Sequence, residues 1–133
     1  MFGIYSSSGD FSILHGKTLV AVDVAKGDDH RIIFTTDGGE RYLMHHLSDC
    51  CETVEIEDIC GDMDDLLNSP IVLAEEVSHQ DETPEGVTNP WNDDSFTWTF
   101  YKLATIRGAV TIRWFGSSNG YYSESVDFEK IQA

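Results

Sequence analysis

The last third of the chain alternates with a period of two, and that pattern commits it to strands. In SFTWTFYKLATI (95–106), Phe96, Trp98 and Phe100 alternate with Thr97, Thr99 and Tyr101. GAVTIRWFG (108–116) gathers Val110, Ile112 and Trp114 on one side. Successive strand side chains leave opposite faces, so both runs predict strands with one packed face. Asn119-Gly120 then supplies the residue pair that a tight type I′ hairpin turn favours.

The first half carries the same signal. TLVAVDVAK (18–26), HRIIFTTD (30–37) and RYLMHHL (41–47) read as strands separated by GDD (27–29) and DGGE (37–40). Glycine takes φ > 0 without steric cost, which marks DGGE as a hairpin. ETVEIEDI (52–59) sets Val54 and Ile56 against Glu55 and Glu57, and IVLAEEV (71–77) is a further strand. Residues 62–68 are expected to form one short helix, with Asp62 as N-cap, acids in the first turn and Pro70 beyond its end. The fold expected is therefore a β-rich α+β domain spanning 1–133. It has six to eight mainly antiparallel strands, most simply connected as a meander. A chain of 133 residues, 41% of them hydrophobic, can bury such a core without staples.

Charge narrows the function. The formal net charge is −16, and between Arg41 and Lys102 there is no Lys or Arg. Residues 42–101 hold 15 acidic side chains, and the other 73 residues hold 9 acidic and 8 basic ones. A field of that sign attracts basic surfaces and repels nucleic acid and anionic membrane. No basic stripe for nucleic acid exists, and no apolar run approaches the roughly 18–20 residues of a membrane span. The start of the chain lacks the basic and apolar regions of a secretory signal.

HHLSDCCETVEIEDICGD (45–62) concentrates two histidines, three cysteines and six acids. Zinc favours spaced Cys and His pairs, whereas here they are adjacent, and neighbours on a strand face opposite ways. A zinc site would have to draw on His46, Cys50 or Cys51, and Cys60. The candidate metal or reactive cluster is His46, Asp49, Cys50, Cys51 and Glu52. A cysteine nucleophile there needs a stabilised thiolate, and the surrounding acids oppose one. Asp49 and Glu52 also have capping-box spacing. Three cysteines, two of them adjacent, do not suit a disulfide framework, and the reading points to a reducing compartment. Phosphate-cradle and nucleophile-elbow motifs are absent.

The stretches YLMHHLSDCCETVEIEDICGDMDDLLNSPIVLAEE (42–76) and YKLATIRGAVTIRWFGSSNGYYS (101–123) resemble a family of small uncharacterised proteins encoded mainly by bacteriophages and prophages. The positions that carry the likeness are His46, Asp49, Cys50, Cys51, Glu52, Asp58, Gly61 and Asp62. The resemblance implies phage origin and the cytoplasm of an infected bacterium, and it brings no catalytic residues with it.

The function expected is a non-enzymatic interaction protein, without cofactor, that inhibits a basic host protein. A nuclease of a restriction or CRISPR system, met by a DNA-like acidic surface, is the partner expected. Its binding residues would be Glu55, Glu57, Glu75, Glu76, Asp64 and Asp65. The alternatives are a metal- or cysteine-dependent enzyme centred on DCCE, with zinc as the cofactor, and a structural or scaffold component of the phage.

Overall fold

The computed structural model describes residues 10–27, 29–47, 52–80, 95–118 and 123–132. Among these residues eight strands form two antiparallel sheets. The first runs β1 (Leu19–Lys26), β2 (His30–Thr36), β3 (Arg41–His45) and β8 (Asp127–Gln132) in that spatial order. The second runs β4 (Thr53–Cys60), β7 (Gly108–Ser118), β6 (Ser95–Thr105) and β5 (Leu73–Gln80). The meander expectation holds within β1-β2-β3 and within β5-β6-β7. Strand β4 leaves it to pair with β7, which divides the chain into two layers.

One core lies between the layers. Ile32, Phe34, Tyr42, Met44 and Phe128 project from the first sheet to meet Ile56, Tyr101, Leu103, Val110, Ile112 and Trp114 of the second. The Trp114 indole N–H reaches the Met44 sulfur at 3.2 Å, and Phe11 packs between Tyr101 and Phe128. Phe11 and Leu14 belong to a single 3-10 turn, Phe11–Leu14, capped by the Asp10 side chain. Of the alternating set in β6, the Tyr101 side enters this core. Trp98 and Phe115 are cross-strand partners on the opposite face, where their ring centroids lie 4.5 Å apart.

The short helix expected over 62–68 is instead one 3-10 turn, Met63–Leu66. Asp62 does cap it, accepting from the Asp64 N–H, but the turn cannot lengthen. Leu66 is drawn into the core, Asn68 sits at φ 64°, and Pro70 forms a bridge with Thr18 beside β1. The left-handed residue and the lateral bridge pull the chain away from helical geometry after four residues. Gly61, just before the turn, has φ 111°, and a Cβ there would lie 2.5 Å from the Ala109 carbonyl oxygen.

On β5, Glu76 is the cross-strand partner of Tyr101 and so lies on the core side of its strand, at the rim. Partial burial pushes its carboxyl above the ordinary 4.5. The Tyr101 hydroxyl is buried without a hydrogen bond among the described residues, and desolvation together with Glu76 pushes it upward as well. A carboxyl raised on folding stabilises the native state below its unfolded pKa and loses that contribution as pH rises through the folded value. Glu76→Gln is therefore expected to melt above the parent at pH 7. The gap should close as the pH falls below 4.5, which thermal melts across that range would register.

Candidate functional site

Strand β4 begins the most acidic described segment. Residues 52–65 hold seven carboxylates and no Lys or Arg. The alternation expected for β4 places Val54 and Ile56 opposite Gly116 and Trp114 on the core side, with Glu55 across from Phe115 on the other. The strand then bulges, because Ile56 pairs with Trp114 and Asp58 with Arg113, leaving Glu57 as the extra residue. Arg113 gathers the acids at the bulge. Its Nε donates to Glu57 at 2.6 Å, its Nη2 lies 3.6 Å from Asp58, and its guanidinium sits 5.7 Å from the Trp98 ring centroid.

The outer edge of β4 is closed by a histidine. The Ile56 N–H donates to His30 Nδ1 at 2.9 Å, so Nδ1 carries no proton and Nε2 must hold it. That Nε2 lies 3.8 Å from Glu55. Beside this contact opens a cleft of about 210 Å³ lined by Asp29, His30, His46, Glu52, Val54 and Glu55, among others.

At the inner end of the cleft, His46 and Glu52 form a buried pair with Nε2 and Oε2 2.9 Å apart. His46 Nδ1 lies 2.7 Å from the Ser125 carbonyl oxygen, which can only accept, so Nδ1 is protonated. The Nε2···Oε2 bond needs one further proton, on the ring or on the carboxyl. In either arrangement the pair is neutral as a unit, which is how two ionisable groups can be buried together.

The next residue back, Glu124, is buried in its turn. Its two oxygens accept from Thr97 Oγ1 at 2.8 Å and Ser118 Oγ at 2.5 Å. The segment before β8 is therefore tied to β3, β4, β6 and β7 by polar contacts at one end of the sheets.

Of the expected cluster, His46 and Glu52 are brought together, while Asp49, Cys50 and Cys51 lie outside the described residues. So do the Asn119-Gly120 turn, the polar stretch 81–94 and, apart from Glu52, the DCCE capping box. Among the described residues no group of three His, Cys, Asp or Glu side chains is placed to hold a metal ion. Cys60 is exposed, and its hydrogen bond to Asp58 at 3.3 Å pushes the thiol up, away from a nucleophilic thiolate.

The six expected binding carboxylates are not one array. Glu55 and Glu57 lie on β4 and Glu75 on β5, the two edges of a four-stranded sheet, about 14 Å apart at the usual strand spacing. Arg113, Lys102 and aromatic side chains occupy the strands between. Glu76 faces the core side, and Asp64 and Asp65 sit in the Met63–Leu66 turn, where the Asp65 carbonyl accepts from Thr105. Sequence reasoning passed over Asp29, His30 and Glu124. For His30, its place at the start of a strand just after an acidic turn was the available signal. Glu124 left none, since its partners lie 27 and 6 residues away.

The fold and site define a two-layer antiparallel β protein with an acidic edge strand and neutralised polar pairs inside. The chain belongs to the family described as Domain of unknown function (DUF7448), whose model matches residues 12–128. No curated protein and no solved structure matches it. Among the described residues no helix is long and apolar enough to cross a membrane.

Proposed function

We propose that the protein is a non-enzymatic binding module that recognises a basic protein surface through the carboxylates of β4 and the turn after it. The observation that carries this reading is the run of six acids over 55–65, met among the described residues by a single guanidinium, that of Arg113. Three other cations are already engaged. Lys17 and Lys130 both pair with Glu40, at 2.9 and 3.4 Å, and Arg107 donates to the Leu67 carbonyl. An acidic edge also keeps a strand from pairing with stray chains, and the bulge and His30 already do that for β4. The charge exceeds what that protection requires.

The resemblance to phage and prophage proteins makes a bacterial nucleic-acid-binding nuclease of a restriction or CRISPR system the partner class placed first. Such a groove is basic, and occupying it inhibits. The separation of Glu55 from Glu75 favours an edge contact over a flat imitation of DNA.

The test uses purified basic nucleases of these systems and the immobilised full chain. Binding should weaken by about tenfold or more between about 50 and about 200 mM salt. Glu55→Lys with Asp64→Lys should abolish it, while Glu75→Lys leaves most of it. Binding indifferent to both salt and reversal would remove the electrostatic basis of the reading.

A further inference from the structure

The two sheets are not stacked strand for strand. His30 of β2 reaches Ile56 of β4, Met44 of β3 touches Trp114 of β7, and Phe11 joins Phe128 of β8 to Tyr101 of β6. Strand β2 thus lies over β4, β3 over β7 and β8 over β6. That leaves β1 projecting beyond the β4 edge with no strand of the described residues opposite it. Its first residues are covered, since Leu19 and Thr18 form bridges with Leu67 and Pro70. Beyond them the core-side positions open. Val22, opposite Phe34, is half-buried, and Val24, opposite Ile32, is 40% exposed.

The backbone edge of β1 is open over the same stretch. From Ala21 to Lys26 the strand keeps a regular register with β2, and no described residue pairs with its other side. Strand β1 has its own register break between Leu19 and Ala21 and carries Asp23 and Lys26, but its stretch from Ala21 onward is unbroken and the other three edges are blunted further. Strand β4 has its bulge, its acids and the His30 contact, β5 carries adjacent Glu75 and Glu76, and β8 has a register break and three charges in six residues. Natural sheets manage edges in these ways, and an edge with a regular register and an apolar core-side row is one that another strand can join. The cleft holding Asp29, His30 and Glu55 opens where β2 begins, next to the end of β1.

We infer that the open edge of β1 receives an extended basic segment of the partner, which rests on the reading of the protein as a binder of basic surfaces. The segment adds a strand alongside Ala21–Lys26. Its apolar side chains cover Val22 and Val24, and a Lys or Arg enters the cleft toward Asp29 and Glu55. The Glu55 carboxylate already lies 3.8 Å from His30 of the other sheet, so a Lys or Arg stem on the added strand has only part of the about 10 Å between layers to cross. The occupant is specified by chemistry: β-strand hydrogen bonding, an apolar row beneath, and carboxylates at the step. A flexible polycation satisfies only the last of these.

Two synthetic peptides of equal charge separate the inferences. One, the alternating peptide, is Lys-Val-Lys-Val-Lys-Lys-Lys, whose sixth residue sets a Lys on the same face as its two Val, and the other carries Pro for its central Val, which removes a ladder donor and breaks the extended pairing. Against the full chain, fluorescence anisotropy is expected to give the alternating peptide about tenfold tighter binding. Amide exchange should slow between Ala21 and Lys26, and Val24→Lys should erase the preference while leaving the weaker Pro peptide within about twofold. Equal binding of both peptides would overturn the β1 assignment and leave the acidic reading standing. Failure of both to bind at low salt would overturn the acidic reading itself. Protection appearing along β5 or β8 instead would place the edge elsewhere. A chain already dimeric through β1, made monomeric by Val24→Lys, would give the edge a different occupant and overturn the assignment too.

Discussion

Replacing His46 with alanine is expected to cost about 3–5 kcal/mol of folding stability, the range for removing one partner of a buried ionic pair. Both side chains are nearly inaccessible, at 4% for His46 and 0% for Glu52, so water cannot take the place of the ring. The variant also loses the bond that holds the Ser125 carbonyl. Urea unfolding followed by tryptophan fluorescence reads the change directly, with Trp98 and Trp114 buried in the native state. Glu52→Ala in the same background should recover part of the loss, because it removes the stranded carboxyl. A His46→Ala protein within about 1 kcal/mol of the parent would mean that the pair is not the buried unit described above.

That pair shows which parts of the molecule were legible in the sequence and which were not. The strands were, because each imposes a period of two that local residues carry by themselves. The alternation in β6 and β7 and the glycines after β2 state their geometry without reference to distant chain. Asp62 was readable as a cap for the same local reason, although the length of its helix was not. The truncation to one turn depends on Pro70 bridging to Thr18, 52 residues earlier in the chain.

Faces were harder. Phe96, Trp98 and Phe100 are the apolar side of their run, yet the core takes the side with Tyr101 and Leu103. Hydrophobicity identifies a buried face only when a strand has one, and β6 buries Trp98 and Tyr101 on opposite sides.

The candidate site was legible as composition and not as arrangement. The acids of 52–65 are contiguous in sequence, so β4 and its turn keep them together whatever the topology. Glu75 and Glu76 were grouped with them only by sign of charge, and sheet order puts β5 at the far edge. His46 and Glu52, six residues apart, could be paired by eye. Ser125, which fixes the ring, comes from 79 residues away. The open edge of β1 is a property of stacking offset between sheets, and no local pattern encodes it.

Gly116→Ala is expected to destabilise by about 3–5 kcal/mol, and the mechanism differs from an ordinary glycine effect. A Cβ at this position would lie 2.6 Å from the Glu124 carbonyl oxygen, 3.0 Å from the Glu124 Cβ and 3.2 Å from Val54 Cγ2. The backbone atom cannot swing aside as a flexible side chain would, so the whole segment before β8 must withdraw from β7. Overpacking of this kind costs about 1–3 kcal/mol. Withdrawal also stretches the bonds from Thr97 and Ser118 to the buried Glu124 carboxylate, each of which costs about 1–3 kcal/mol to lose. Gly27, exposed and with nothing within 4 Å of an added Cβ, is the control and should move by about 0.5 kcal/mol or less on the same substitution. Because Ser125 follows Glu124 directly, the displacement should also loosen His46. Gly116→Ala and His46→Ala combined should then destabilise by less than the sum of the two, since each releases the same segment. Strict additivity would mean that the Glu124 contacts and the His46–Glu52 pair are two separate anchors, and that the end of the sheets is held together piecemeal.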